Sequence, residues 1–110
     1  MDERLERYAA GHADRVNLLI HIVAVPLFVL ASISALAALL TGRWLLLAAA
    51  LAGVGLSLAA QGAGHTRETV PPEPFAGPGD FVQRIIKEQF LTFWHFAGSG
   101  GWLSNVRLSQ

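Results

Sequence analysis

The stretch LLIHIVAVPLFVLASISALAALL, residues 18–40, decides the fold. It runs for 23 residues without a formal charge, and His21 is its only strongly polar member. As an α-helix it rises roughly 35 Å, enough to cross a hydrocarbon core of about 30 Å. Apolar side chains occupy every face, so it lacks the single stripe of a surface helix.

Thr41-Gly42-Arg43 follows as a tight link, and a second apolar run covers residues 44–64. At roughly 30 Å of helix it is also long enough to span. Two spans joined by three residues make an antiparallel hairpin. The alternative is a soluble bundle with buried helices. A secretory signal peptide is excluded, because a mixed-charge segment precedes a run longer than its 7–15 apolar residues. Arg4, Arg7, Arg15 and Arg67 lie near the terminal ends of the hairpin and only Arg43 lies in the turn. The positive-inside rule then places both termini in the cytoplasm, with the hairpin in a bacterial inner membrane or an ER-type membrane.

The rest of the composition agrees. One hundred and ten residues make one domain. The chain is 53% hydrophobic and 15% charged, with a mean hydropathy of +0.44, against about 25% charged in a typical soluble domain. Net charge is zero, and no basic tract or recognition motif points to nucleic acid. The absence of cysteine excludes disulfide scaffolds, zinc–cysteine modules, iron–sulfur clusters and cysteine nucleophiles.

The flanks read as structured. Residues 2–12 form an amphipathic helix with Leu5, Tyr8, Ala9 and His12 on one face. Residues 69–79 hold four prolines and two glycines and read as a loop. Asp80, with Gln83 three residues on, reads as the cap of an amphipathic helix over residues 80–97. The glycines at 98, 100 and 101 stop it. The expected fold class is therefore all-α: an integral membrane hairpin of two transmembrane helices flanked by amphipathic interfacial helices. A face of His21, Ala24, Ala31, Ala35 and Ala38 would meet one of Gly53, Ser57, Gln61 and His65, and the small residues among them would let the two helices approach closely. A hairpin alone buries little, so a homo-oligomer is also expected.

The four histidines carry the chemistry. Residues 21 and 65 are equidistant from residue 43 in the turn, so straight antiparallel helices bring them to the same depth. His12 is nine residues from His21 and would face away from it on one continuous helix. Both reach one site only if the chain breaks between them, where Gly11, Asp14 and Asn17 provide a suitable stretch. Asn17 is then the candidate cap of the first span. His95 sits on the polar stripe of the last helix, where a solvated histidine is ordinary. Polar groups near a span default to a functional reading, and neutral imidazoles suit iron, zinc, copper or nickel. Glu68, three residues after His65, is a candidate carboxylate ligand or ring-orienting partner. Gln61 and Asn17 are further candidates to support the rings.

The pattern Tyr8…His12…Asn17…His21…Pro26, then Gln61-Gly62-Ala63-Gly64-His65 with Glu68 and Pro71, resembles a family of membrane 2-hydroxy-fatty-acid dioxygenases. Its fungal members act in phytosphingosine breakdown, shortening 2-hydroxy fatty acids by one carbon, and its bacterial relatives were long of unknown function. The resemblance covers roughly residues 5–75. It implies an Fe(II)-dependent enzyme using O₂, with His12, His21 and His65 as iron ligands and His95 as a candidate fourth. In this chain the acidic residue follows the last histidine by three positions rather than four, and the second hydrophobic pair of the larger fungal members is missing. For such a substrate Arg15 or Arg67 is the candidate partner of the carboxylate. Three other readings remain open: a non-catalytic membrane hairpin, a bis-histidine haem protein using His21 and His65, and a histidine-bound zinc hydrolase of lipids.

Overall fold

Asp14 marks the break that the histidine spacing requires. In the computed structural model, which describes residues 3–109, helix α1 (Glu3–Ala10) ends as the Gly11 N–H turns back onto the carbonyls of Arg7 and Tyr8. Residue 2 of the expected N-terminal helix lies outside the described residues. The Asp14 carboxylate then accepts the N–H of Asn17 at 3.1 Å and caps α2 (Arg15–Thr41). Asn17 is therefore not the cap. It lies inside the first turn, and the helix begins ahead of the apolar run because Asp14 is the better-placed acceptor.

Gly42, at φ +68°, closes α2 in the left-handed conformation that favours glycine. Helix α3 (Trp44–His65) returns antiparallel. The two helices meet through small groups. A Cβ on Gly53 would lie 3.3 Å from Ala31 Cβ, and the Ser57 hydroxyl donates to the Ala24 carbonyl at 2.5 Å. Their outer faces remain bare: Val23, Leu30, Leu40, Leu45, Leu51 and Leu56 are all exposed. In the most apolar windows of α2 and α3 only 28% and 17% of residues are buried, which does not fit the core helices of a soluble bundle. Both helices are long and apolar enough to cross a membrane.

The chain after the proline loop covers the terminal end of the hairpin. Helix α4 (Pro78–Lys87) begins two residues ahead of the expected Asp80 start, because Pro78 takes the first helical position. Asp80 instead accepts the Ala76 N–H at 2.9 Å from within the first turn. A π-helical turn over Glu88–Thr92 leads into α5 (Phe93–Gly98). The wide turn shifts the angular register, so Val82, Ile86, Phe90 and Phe93, which a continuous helix over residues 80–97 would align as one apolar stripe, do not stay on one side. Phe93 is buried, whereas the other three are exposed. Gly100, at φ +89°, then allows a further helix, α6 (Gly101–Leu108), which the glycine run hides from a sequence reading.

The apolar core sits at this end. Leu5 and Tyr8 of α1, Leu18 and Val25 of α2, and Phe93 and Phe96 of α5 form one buried cluster. Trp102 Nε1 donates to the Leu18 carbonyl at 2.8 Å. Asn105 Nδ2 donates to the carbonyls of Ala9 and His12. These bonds hold the break between α1 and α2 in place.

Candidate metal centre

Three segments deliver three imidazoles to one point. His12 follows α1, and its ring stacks on the Tyr8 ring at 3.8 Å between centroids. Its Nδ1 lies 2.6 Å from the Tyr8 carbonyl. His21 lies on the second turn of α2 with Nδ1 2.9 Å from the Asn17 carbonyl. A carbonyl only accepts, so both rings carry their proton on Nδ1 and present the Nε2 lone pair. His65 ends α3, and its Nδ1 is buried without a hydrogen-bond partner.

The ring centroids form a nearly equilateral triangle with sides of 4.7, 4.6 and 4.9 Å, the rings standing close to perpendicular to one another. One nitrogen from each ring lies within 4.8 Å of the others. Burial, and next the His21 ring, push His12 well below the usual histidine range, so it is neutral and ready to ligate. Three neutral donors around a point, one with an orphaned buried nitrogen, suit a divalent metal of the iron, zinc, copper or nickel kind. The same triangle argues against haem between His21 and His65. The two rings lie only 4.9 Å apart between centroids and His12 packs edge-on against both, so no flat macrocycle fits between them.

The supporting residues depart from the sequence expectations. Glu68 is not gathered into the histidine cluster. Its carboxylate accepts the N–H groups of Ala13 and Asp14 and the Asn17 amide, the last at 2.7 Å. It thus fixes the loop between α1 and α2 to the end of α3, and reaches His21 only through Asn17. Gly64 makes this possible, since a Cβ there would collide with Asn17 Oδ1. Gln61 bonds no histidine. It forms a two-way amide pair with Gln89, at 2.9 and 2.7 Å, and donates to Ser57.

His95 is exposed on α5 and is not gathered with the other three, because the π-helical turn brings Phe93 and Phe96 inward instead. Neither arginine expected for a substrate carboxylate is directed there. Arg67 pairs with Asp14 at 3.0 Å. Arg15 donates to Ser109 and to the carbonyl of Val106 at the end of α6.

A cavity of ≈ 270 Å³ opens beside the cluster and reaches His12 and His65. Arg7 and Tyr8 line it from α1, Lys87 from α4, and Glu88 from the π-helical turn. Burial raises Glu88 above the usual carboxylate range, and Arg84 opposes that rise. Burial, aided by Glu88, raises the Tyr8 phenol. Lys87 and Arg7 escaped the sequence reading as binding residues. The signal for Lys87 was the recurrence of polar groups at helical spacing along residues 80–88, and for Arg7 its place among the charged residues of the N-terminal helix; both equally describe a solvated face.

Fold and cluster together define an all-helical protein with a candidate tri-histidine metal centre. Its chain belongs to the Mpo1-like family: the family model, described as 2-hydroxy-palmitic acid dioxygenase Mpo1-like, matches residues 1–78. Neither the curated proteins nor the solved structures yield a match.

Proposed function

We propose that this protein is an Fe(II)-dependent membrane dioxygenase that shortens 2-hydroxy fatty acids by one carbon. The observation that carries the reading is the convergence of His12, His21 and His65 in a chain of this family. Iron held by the three imidazoles would supply the redox chemistry with O₂ that removes the carboxyl carbon. The chain's own part is positional. The Tyr8 and Asn17 carbonyls hold two rings with Nε2 inward. Glu68 holds Asn17 and the loop that carries His12. Phe96 packs beside His12, with 6.2 Å between ring centroids, and is buried together with Phe93.

Membrane residence supports the substrate class. The bare apolar faces of α2 and α3 belong in lipid, with the cluster at one interface and both termini in the cytoplasm. The long axis of 46 Å exceeds a hydrocarbon core of about 30 Å, which leaves the histidine end among the headgroups. An acyl chain can then stay in the bilayer while its polar head reaches the cluster.

The test is iron content and 2-hydroxypalmitate consumption of anaerobically purified protein, for the wild type and each His→Ala variant. His12→Ala, His21→Ala and His65→Ala should lose iron and turnover together, while His95→Ala keeps both. Full iron and full activity in His21→Ala and His65→Ala would sink the shared site. A wild type that holds zinc and never consumes the acid would sink the oxygenase.

A further inference from the structure

We propose that the cavity beside the histidines binds the anionic head of a single-chain lipid, and that Lys87 is the residue that recognises its charge. The inference rests on the oxygenase reading for the substrate's identity, but its geometry stands apart from the metal. Four cations line the cavity: Arg4, Arg7, Arg84 and Lys87. Arg84 is fully engaged. It lies 3.8 Å from both Asp80 and Glu88, donates to the carbonyls of Glu73 and Pro74, and covers the Phe75 ring. Arg7 pairs with Glu3 on the exposed side of α1.

Lys87 differs. It is half-buried in the cavity wall and makes no hydrogen bond or ion pair among the described residues. A partly desolvated ammonium without a counter-charge is unfavourable, and an incoming carboxylate relieves it through a charge-assisted hydrogen bond. The wall offers no acidic partner in its place: Asp80 and Glu88 already face Arg84, and Glu73, the third carboxylate of the lining, is exposed in the proline loop and makes no ion pair among the described residues.

The volume and the helix fix the kind of anion. At ≈ 270 Å³ the cavity falls just below the usual range for drug-sized ligands, roughly 300–1,000 Å³. It holds a head and the first carbons but not a long chain. Helix α4 presents Lys87 to the cavity while Phe81, Val82 and Ile86 are exposed. That face is apolar and continues the character of the bare hairpin, so a tail leaving the cavity meets hydrocarbon. Lys87 also lies beyond the residues that match the family model, so this recognition belongs to the chain's own C-terminal segment.

The experiment uses metal-free full-length protein in zwitterionic nanodiscs and compares binding of palmitate with 1-hexadecanol, which has the same chain length and no charge. Wild type should prefer palmitate by about tenfold, the ratio that 1.4 kcal/mol gives. Lys87→Gln should abolish the preference and Lys87→Arg should keep it. A wild type that binds both equally overturns the proposal without reference to any variant, and so does a Lys87→Gln protein that keeps the wild-type ratio. Displacement of palmitate by phosphatidylglycerol in the nanodisc overturns the single-chain assignment. The two readings separate cleanly. A Lys87-dependent preference without turnover of 2-hydroxypalmitate upholds the anion site and rejects the oxygenase. Turnover with an unchanged KM in Lys87→Gln does the reverse.

Discussion

Glu68 shows how much of the centre depends on groups that are not ligands. Its carboxylate takes two backbone N–H groups and the Asn17 amide, and hydrogen bonds to charged groups contribute about 1.5–3 kcal/mol each. Glu68→Gln keeps the size but removes the charge and one acceptor oxygen. The expected loss is about 2–3 kcal/mol of stability, read as a lower Tm in detergent, together with weaker metal retention as the His12 loop loosens. Gly64→Ala tests the same chain from the other side. The added methyl would strike Asn17 Oδ1, and Asn17 supplies the carbonyl that holds His21. Metal content should fall although all three histidines are intact; unchanged metal content would mean that Asn17 moves aside without disturbing His21. The pairing of His21 with His65 was legible by counting from residue 43, and His12 by its need for a break. The role of Glu68 was not, because two of its partners are backbone N–H groups exposed only by a turn that side-chain identity does not specify.

At the scale of elements, the hairpin follows from sequence because its rules are short-range. An uncharged run of spanning length, a glycine in the left-handed conformation and a second run leave one arrangement. The contact of Ala31 with Gly53 makes it measurable. The Cβ separation of 3.3 Å expected there is close to the 3.5–4.5 Å of disulfides, and the chain has no other cysteine. Ala31→Cys with Gly53→Cys should therefore crosslink on mild oxidation within one molecule. Gly53→Leu should force α2 and α3 apart, costing about 1–3 kcal/mol as in other overpacked contacts. No crosslink in the folded double variant would disprove the meeting of these faces. The C-terminal elements were less legible. Periodicity located a helix near residues 80–97 but could not place a π-helical turn, which changes the register midway and sends Gln89 to Gln61 and Phe93 to the core. Nor could it show α6, where Gly100 and Gly101 act as a turn and a close approach to Phe96 rather than as an end.

Over the whole molecule, the hairpin and the histidine end are held by different forces, and this separation is open to measurement. The hairpin's packing is a seam of small groups between α2 and α3, with its apolar exterior left exposed. The histidine end has a conventional buried core in which Phe96 touches Tyr8 at 5.3 Å between ring centroids and lies 6.2 Å from His12. Phe96 is 1% exposed, and removing such a ring costs about 3–5 kcal/mol through lost burial and the cavity left behind. Phe96→Ala should leave the hairpin assembled, since Phe96 belongs to the core at the histidine end, whereas the seam is made by Ala24, Ala31, Gly53 and Ser57. It should free α1 from α5, so that His12 no longer stays beside His21 and His65. Two measurements on one protein check this. With Ala31→Cys and Gly53→Cys added, Phe96→Ala should crosslink as completely as its parent, while a chelator should strip bound metal from it much faster. Equal loss of crosslink and metal would show that the molecule unfolds as one unit. Undiminished metal retention would show that the three imidazoles are held by the helices of the hairpin alone.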